Sequence, residues 1–293
     1  MKLIAIDLDG TLLNHSTGTI DKENVLAIQE LQNQGVEITI ATGRAYFDAL
    51  NICDKAGLHT HIISDNGAST HIKTGQRIAQ TSIPQNIVSE VLSWLESENY
   101  YYEVFTNEAI FTPSYGRELL RSELVDFLVS HREVDESHYD HILKNQFGQH
   151  GFKFIDSYSE IIDERDDFLG ILVFSFFEDK RKKGISALEH LKSDVSIISS
   201  LEQNFELANI KSSKGTALES LANYLNISMC DTAAIGDNYN DIPMFEKANY
   251  SIAMGNADEK VKSKCKVETL YNDHQGVAYA LRRYNKKYFN KCL

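Results

Sequence analysis

The chain opens on a four-residue apolar run, residues 3–6, rich in branched side chains and cut off by Asp7 and then Gly10. A short continuous apolar run bounded by charge and glycine predicts a buried strand. Residues 20–34 then carry Val25, Ile28 and Leu31 at helical spacing, with Asp21 available as a cap and Gly35 as a stop. A second apolar run at 36–41 predicts another strand. Strand, helix and strand in that order imply parallel pairing through a right-handed crossover. Thr42-Gly43-Arg44 follows at once and is expected to open a helix carrying Phe47, Leu50 and Ile52. A third strand at 61–64 runs into Asn66-Gly67-Ala68, and residues 70–82 pattern as a hairpin turning at 73–76.

After Pro84 the pattern changes. A helix marked by Ile87, Val88, Val91, Leu92 and Leu95 leads to an aromatic strand at 100–105, a short strand at 109–112 and a helix over 117–130. Strands are expected at 152–155, 169–177, 195–199 and 205–210, with helices near 158–162 and over 182–191. This mixed order predicts a second, α+β domain. Tyr100 to Tyr102 are expected to straddle both faces of its aromatic strand. From Lys214 the strand and helix alternation returns. A helix at 216–224 precedes a strand at 232–235 that runs straight into Gly236-Asp237-Asn238-Tyr239-Asn240-Asp241. A helix with Ile242, Met244 and Phe245, a strand at 250–254, and Gly255-Asn256-Ala257 starting a further helix complete the pattern. The fold class is therefore α/β: a doubly wound, Rossmann-like parallel-sheet core of residues 1–83 and 209–293, split by an inserted α+β domain at 84–208.

The composition is that of a globular protein of 293 residues, 42% hydrophobic and 24% charged, and long enough for two domains. A formal net charge of -13 argues against nucleic acid or an anionic membrane as a partner. It would also repel an anionic substrate unless local cations override it. Cys53, Cys230, Cys265 and Cys292 are scattered without CxxC spacing, so neither a zinc site nor a disulfide framework is expected, and a reducing cytoplasmic setting fits. The first apolar run is too short for a signal peptide or a membrane span. Lys286, Lys287 and Lys291 read as a solvated end, and His138 with His141 as a surface pair without a third ligand.

The candidate chemistry lies at strand ends. At period 2, Asp7 and Asp9 project to the same side just beyond the first strand, where open α/β sheets hold their ligand crevices. Two acids so close repel each other, so a cation must sit between them or one must keep a proton. Mg²⁺ suits an oxygen-only site and also coordinates phosphate. Gly10 and Thr11 offer backbone N–H groups in a turn that suits an anion. A lone pair of acids is as readily a solvated loop feature, Thr42-Gly43 an ordinary capped turn, Lys214 a solvated helix start and Asn240-Asp241 an N-cap pair. Their joint occurrence at four expected strand ends points instead to a phosphate and metal site.

In this order and context the motifs resemble the haloacid dehalogenase superfamily, nearest to its Cof-type sugar-phosphatase branch with a large α/β cap after the second motif. The resemblance rests on DLDGTLL at 7–13, ATGR at 41–44, NGA at 66–68, SKGTAL at 213–218, IGDNYND at 235–241 and AMGNA at 253–257. It implies that Asp7 is the nucleophile forming an aspartyl-phosphate, and that Asp9 is the general acid and base. It implies Mg²⁺ held by Asp7, the Asp9 carbonyl and Asp237, with Asn238 a further ligand. Thr42, the Gly43 amide at a helix N-terminus, the Leu8 amide, Lys214 and Asn240 would hold the phosphoryl group. Asp241 would orient Lys214 or a metal-bound water, while Arg44 reaches substrate or covers surface, and Asn66 lines the crevice or makes the turn.

The activity implied is Mg²⁺-dependent hydrolysis of small phosphomonoesters such as sugar phosphates. A phosphomutase shares both aspartates and stays open as an alternative. A non-catalytic phosphate or metabolite sensor is the other, although receivers of that kind are shorter and carry no large insertion. Oligomeric state is not legible.

Overall fold

The computed structural model describes residues 1–14, 16–198 and 202–288, of which 284–288 as backbone. Met1–Gln80 together with the chain from Ser212 onward form one compact unit, and Thr81–Lys211 form another. The first unit begins with β1 (Leu3–Ile6), α1 (Lys22–Gln32), β2 (Glu37–Ala41), α2 (Tyr46–Lys55), β3 (His61–Ser64), β4 (Ser69–His71) and β5 (Arg77–Gln80). The second contributes α3 (Gln85–Ser97), β6 (Tyr101–Phe105), β7 (Ile110–Pro113), α4 (Gly116–Ser130), α5 (Glu136–Phe147), β8 (Phe152–Ile155), α6 (Ser159–Ile162), β9 (Gly170–Phe174), α7 (Glu178–Leu188), β10 (Val195–Ile198) and β11 (Asn204–Asn209). The first then resumes with α8 (Lys214–Tyr224), β12 (Thr232–Gly236), α9 (Ile242–Lys247), β13 (Tyr250–Ala253), α10 (Glu259–Lys262), β14 (Val267–Glu268) and α11 (Gly276–Tyr288).

The first unit is the doubly wound α/β core. Its sheet runs β14-β13-β12-β1-β2-β3-β4-β5, parallel from β14 to β3 and antiparallel over the last two strands. β1 lies between β12 and β2, with Ile6 opposite both Ile235 and Ile40. Its four residues alternate between two cores. Ile4 and Ile6 join Ile28, Leu31 and Val277 on one face, while Leu3 and Ala5 join Leu218, Leu221 and Phe245 on the other. Helices covering both faces explain why the strand reads as an unbroken apolar run. Chain order reverses between β1 and β12, and such a switch point opens a crevice at the carboxyl ends of the strands.

The second unit has a six-stranded sheet, β10-β11-β9-β6-β7-β8, antiparallel except where β7 pairs with β8. Tyr100 and Tyr102 pack into its main core with Val88, Leu92 and Phe205. Tyr101 faces the other way, its hydroxyl donating to the buried Glu103 at 2.6 Å. The three tyrosines therefore do straddle the strand.

Several local expectations are corrected. The helix expected from Thr42-Gly43-Arg44 starts only at Tyr46, because Ala45 is extended (φ -61°, ψ 150°) and the Thr42 hydroxyl accepts the Arg44 N–H at 3.1 Å, closing a turn ahead of the helix. The helix expected from Gly255 starts at Glu259, capped by Asp258. Lys214 is the first residue of α8 and not a strand end. α5 and α11 were not legible from the apolar pattern, and α5 buries only Leu143 and Gln146. His138 and His141 lie exposed on α5. Ser199, Lys291 and Cys292 lie outside the described residues. No helix among the described residues is long and apolar enough to cross a membrane.

Candidate active site

The carboxyl ends of β1 and β12 and the first turn of α8 bring three distant pieces of chain together. Asp7 follows β1 directly and is 5% exposed. Lys214 sits at the start of α8, where the Ser213 hydroxyl accepts the Thr216 N–H at 3.0 Å and the Ser213 N–H is returned to the Thr216 hydroxyl at 3.1 Å. Gly215 lets this helix start press against the next one, since a Cβ there would fall 2.2 Å from the Pro243 carbonyl oxygen. The Lys214 side chain, fully buried, donates through Nζ to Asp7 Oδ1 and to Asp241 Oδ1, each at 2.6 Å. The other oxygen of Asp241 accepts the N–H groups of Asp237 and Asn238 at 2.9 and 3.0 Å. Asp241 thus holds both the lysine and the turn after β12.

Carboxylate oxygens of Asp7, Asp237 and Asp241 lie within 4.8 Å of one another. Three acids share one ammonium. Burial, then the neighbouring charge of Asp241, raises the Asp7 carboxyl well above the usual range despite Lys214. Burial and Asp241 likewise push Asp237 up to about 7, against the hydrogen bond from Thr11 and the charge of Lys214. Burial works against the charge of Lys214, but Asp241 and Asp7 outweigh it and raise its pKa. Such a cluster keeps protons or takes up a cation. Asp7 Oδ2 is buried with no hydrogen-bond partner, and every donor atom in the group is a carboxylate oxygen. An orphaned oxygen in an all-oxygen, net-negative set fits a hard divalent cation.

Thr11 and Asn256 complete the surroundings of Asp237. The Thr11 hydroxyl donates to Asp237 Oδ1 at 2.8 Å, and Asn256 Nδ2 lies 3.4 Å from Asp237 Oδ2. Sequence reasoning gave Thr11 only a backbone role and Asn256 none. The signal for Asn256 was its position just past β13, the strand beside β12. Asn238 turns its side chain to its own turn, Oδ1 accepting the Tyr239 N–H at 2.7 Å, and its backbone carbonyl accepts the Asp241 N–H at 3.1 Å. Both carbonyls serve the turn.

Asp9 is not in this cluster. Its side chain is 54% exposed, and both its oxygens accept from Arg44, Nε at 2.8 Å and Nη2 at 2.7 Å. Arg44 also donates through Nη1 to the buried Asp48 at 2.7 Å. Arg44 is therefore neither a loose surface residue nor free to point elsewhere. Burial lowers its pKa, but the charges of Asp9 and Asp48 more than reverse this.

A third group lies at the ends of β2 and β3. Thr42 is buried, and its carbonyl accepts the Asn66 N–H at 3.1 Å. Asn66 Oδ1 accepts Asn240 Nδ2 at 3.0 Å, and a Cβ on Gly43 would lie 3.2 Å from the Asn66 amide nitrogen. Asn240 Oδ1 is buried without a partner. Leu8 has its side chain in the core, and its carbonyl accepts the Leu13 N–H at 2.9 Å.

A model of haloacid dehalogenase-like hydrolases matches residues 4–281. Phosphatase YwpJ of Bacillus subtilis is 47% identical over 284 residues, covering 96% of this chain and 99% of that protein. A second Bacillus subtilis protein, 5-amino-6-(5-phospho-D-ribitylamino)uracil phosphatase YwtE, is 38% identical over 283 residues, covering 95% of this chain and 96% of its own. The solved structure of a haloacid dehalogenase-like hydrolase from B. subtilis superposes with a TM-score of 0.84 at 47% identity, covering 96% of this chain and 99% of that one. The chain belongs to the haloacid dehalogenase-like hydrolases and, as an enzyme, falls with their phosphatases.

Proposed function

We propose that this chain hydrolyses small phosphomonoesters, sugar phosphates or similar metabolites, in a Mg²⁺-dependent reaction that passes through an aspartyl-phosphate on Asp7. The observation that carries the reading is the pair of oxygens on Asp7: Oδ1 is gripped by Lys214, and Oδ2 is buried without a partner. A carboxylate fixed in this way, with one oxygen left for a cation, has the orientation that in-line attack on phosphorus needs. The bond from phosphorus to the ester oxygen breaks as the Asp7 oxygen bonds to phosphorus. Asp9, protonated and with one oxygen turned from Arg44 to the ester, gives its proton to the leaving alkoxide and later takes one from the water that attacks the acyl phosphate, releasing inorganic phosphate and restoring Asp7.

Asp7, Asp237 and the backbone carbonyl of Asp9 are assigned to hold Mg²⁺. When bound, the ion supplies positive charge to the phosphoryl oxygens and lets both side-chain acids stay ionised. Asn238 is assigned as a further ligand, since each of its carbonyls accepts one hydrogen bond within the turn and keeps a second lone pair. Lys214 offsets charge on Asp7 and on the phosphoryl group, and Asp241 orients it. The Thr42 hydroxyl, the Gly43 and Leu8 amides and Asn240 are assigned to the phosphoryl oxygens, with Asn66 as the residue that aligns Asn240. The inserted unit is assigned the choice among substrates, and the scattered cysteines support a cytoplasmic setting.

Release of inorganic phosphate from a panel of sugar phosphates and from 4-nitrophenyl phosphate, with Mg²⁺ and with a chelator, tests the reading. Turnover with the metal and none with the chelator is expected. Failure of the whole panel with Mg²⁺ present would overturn it.

A further inference from the structure

Asp237 stands where three loops meet. Gly10 belongs to the turn after β1, and its φ of +77° together with the space around it demands glycine, because a Cβ would fall 2.4 Å from Asp237 Oδ2. The third loop follows β13, which pairs with β12 on the side away from β1. From it, Asn256 Nδ2 donates to the Gly10 carbonyl at 2.8 Å and lies 3.4 Å from Asp237 Oδ2. Asn256 Oδ1 is held in turn by the Asn272 N–H at 3.1 Å, and Asn272 is anchored through its own amide to the Leu13 carbonyl at 3.0 Å.

A side-chain amide has two N–H groups and an acceptor oxygen, and this one is engaged at both ends. Its acceptor fixes the rotamer, which aims one N–H at each of Gly10 and Asp237. Thr11 holds the opposite oxygen of Asp237 at 2.8 Å. Each Asp237 oxygen then has one lone pair tied to a neutral donor and another left over. That is how a ligand carboxylate is oriented without its charge being neutralised.

We infer that Asn256 is a positioning residue for the metal site, one that sets the orientation of Asp237 and with it the affinity for a divalent cation. The inference rests on the proposed metal site and goes beyond it by assigning a residue outside the ligand set. Partners of ligand side chains commonly change metal affinity by about 10–100-fold when removed. The long contact to Asp237 places Asn256 near the lower end, at about tenfold.

The test is calorimetric titration of the full chain with Mn²⁺ alone, an oxygen-preferring ion of the same octahedral habit. Asn256→Ala removes the amide, and Asn256→Leu removes its hydrogen bonds while keeping most of its volume. Both should weaken Mn²⁺ binding by about tenfold, by more than they lower kcat at saturating Mg²⁺, and leave the melting temperature in chelator near that of the parent protein. If Asn256 merely stitches the loops, melting in chelator falls and Mn²⁺ affinity is unchanged, which would overturn the inference. A parent protein that binds no Mn²⁺ would also overturn it. Weakened Mn²⁺ binding in a protein that hydrolyses no ester would uphold the inference and remove the proposed activity.

Discussion

Arg44 clasps Asp9 through two parallel hydrogen bonds, Nε to Oδ2 at 2.8 Å and Nη2 to Oδ1 at 2.7 Å, and is itself braced by Asp48 at 2.7 Å. A planar guanidinium with three donors so used sets a direction that a lysine cannot reproduce. Arg44 therefore sets the direction of the Asp9 carboxylate, and Asp48 sets that of Arg44.

Loss of that brace should show in the leaving group. Asp48→Asn is expected to slow hydrolysis of alkyl phosphates by about tenfold, a fraction of the 10²–10⁴ that general acid catalysis supplies. Hydrolysis of 4-nitrophenyl phosphate, whose leaving group needs little protonation, should fall much less. An equal loss on both esters would show that Asp48 does not act through Asp9.

Lys214 bears on stability as well as on turnover. Its side chain is fully buried between Asp7 and Asp241, so Lys214→Met leaves two acids facing each other without a counter-charge. Breaking a buried pair from one side costs about 3–5 kcal/mol. Chemical denaturation should show a loss of that size together with loss of turnover. A variant as stable as the parent would contradict the buried network.

The inserted unit carries its own pH dependence. Burial pushes Glu103 up to about 7, although Tyr101, Gln146 and Gln149 all hydrogen-bond to it, and Glu206 adds to the rise. A carboxyl raised in the folded state stabilises fully below its unfolded pKa, and that contribution is lost as pH climbs through the folded value. The melting temperature should therefore fall as pH rises through about 7, and Glu103→Gln should flatten that fall. An identical pH profile in the variant would remove Glu103 as the cause.

Much of the core was legible because its strands obey one simple pattern. Residues 3–6 are apolar throughout since Leu3 and Ala5 meet one layer of helices while Ile4 and Ile6 meet the other. α5 was invisible because only Leu143 and Gln146 are buried, which leaves no apolar stripe to count. The acid-bearing turns could be read from DLDG and GDNYND, whose first acids follow strands directly. Of their partners only Lys214 was expected, through the family resemblance and not through periodicity. Lys214 meets Asp7 across 207 positions, while Asn256, which reaches Gly10 across 246, and Arg44, which reaches Asp9 across 35, were not expected there. Such pairings are set by strand order, which local periodicity does not contain. The delayed start of α2 is a smaller case, decided by one hydroxyl, that of Thr42, closing a turn on Arg44.

Metal removal should depend on pH in a definite sense. In the protein without metal, the raised pKa of Asp237, about 7, favours the folded state below the ordinary carboxylate range and loses that effect as pH rises through about 7. Mg²⁺ binds the ionised acids, so its stabilisation grows over the same window. The rise in melting temperature on adding Mg²⁺ should be greater at about pH 8 than at about pH 5. Asp237→Ala should abolish the difference. A Mg²⁺ effect independent of pH would argue that the ion binds elsewhere.

Everything proposed for the chemistry depends on Asp7 accepting the phosphoryl group, and rapid acid quenching of the enzyme during turnover of a ³²P-labelled sugar phosphate with Mg²⁺, followed by peptide mapping, measures that directly. The account predicts acid-stable, hydroxylamine-labile label on the peptide containing Asp7, and none with Asp7→Asn. Label on another residue, or label that persists in Asp7→Asn, would contradict it.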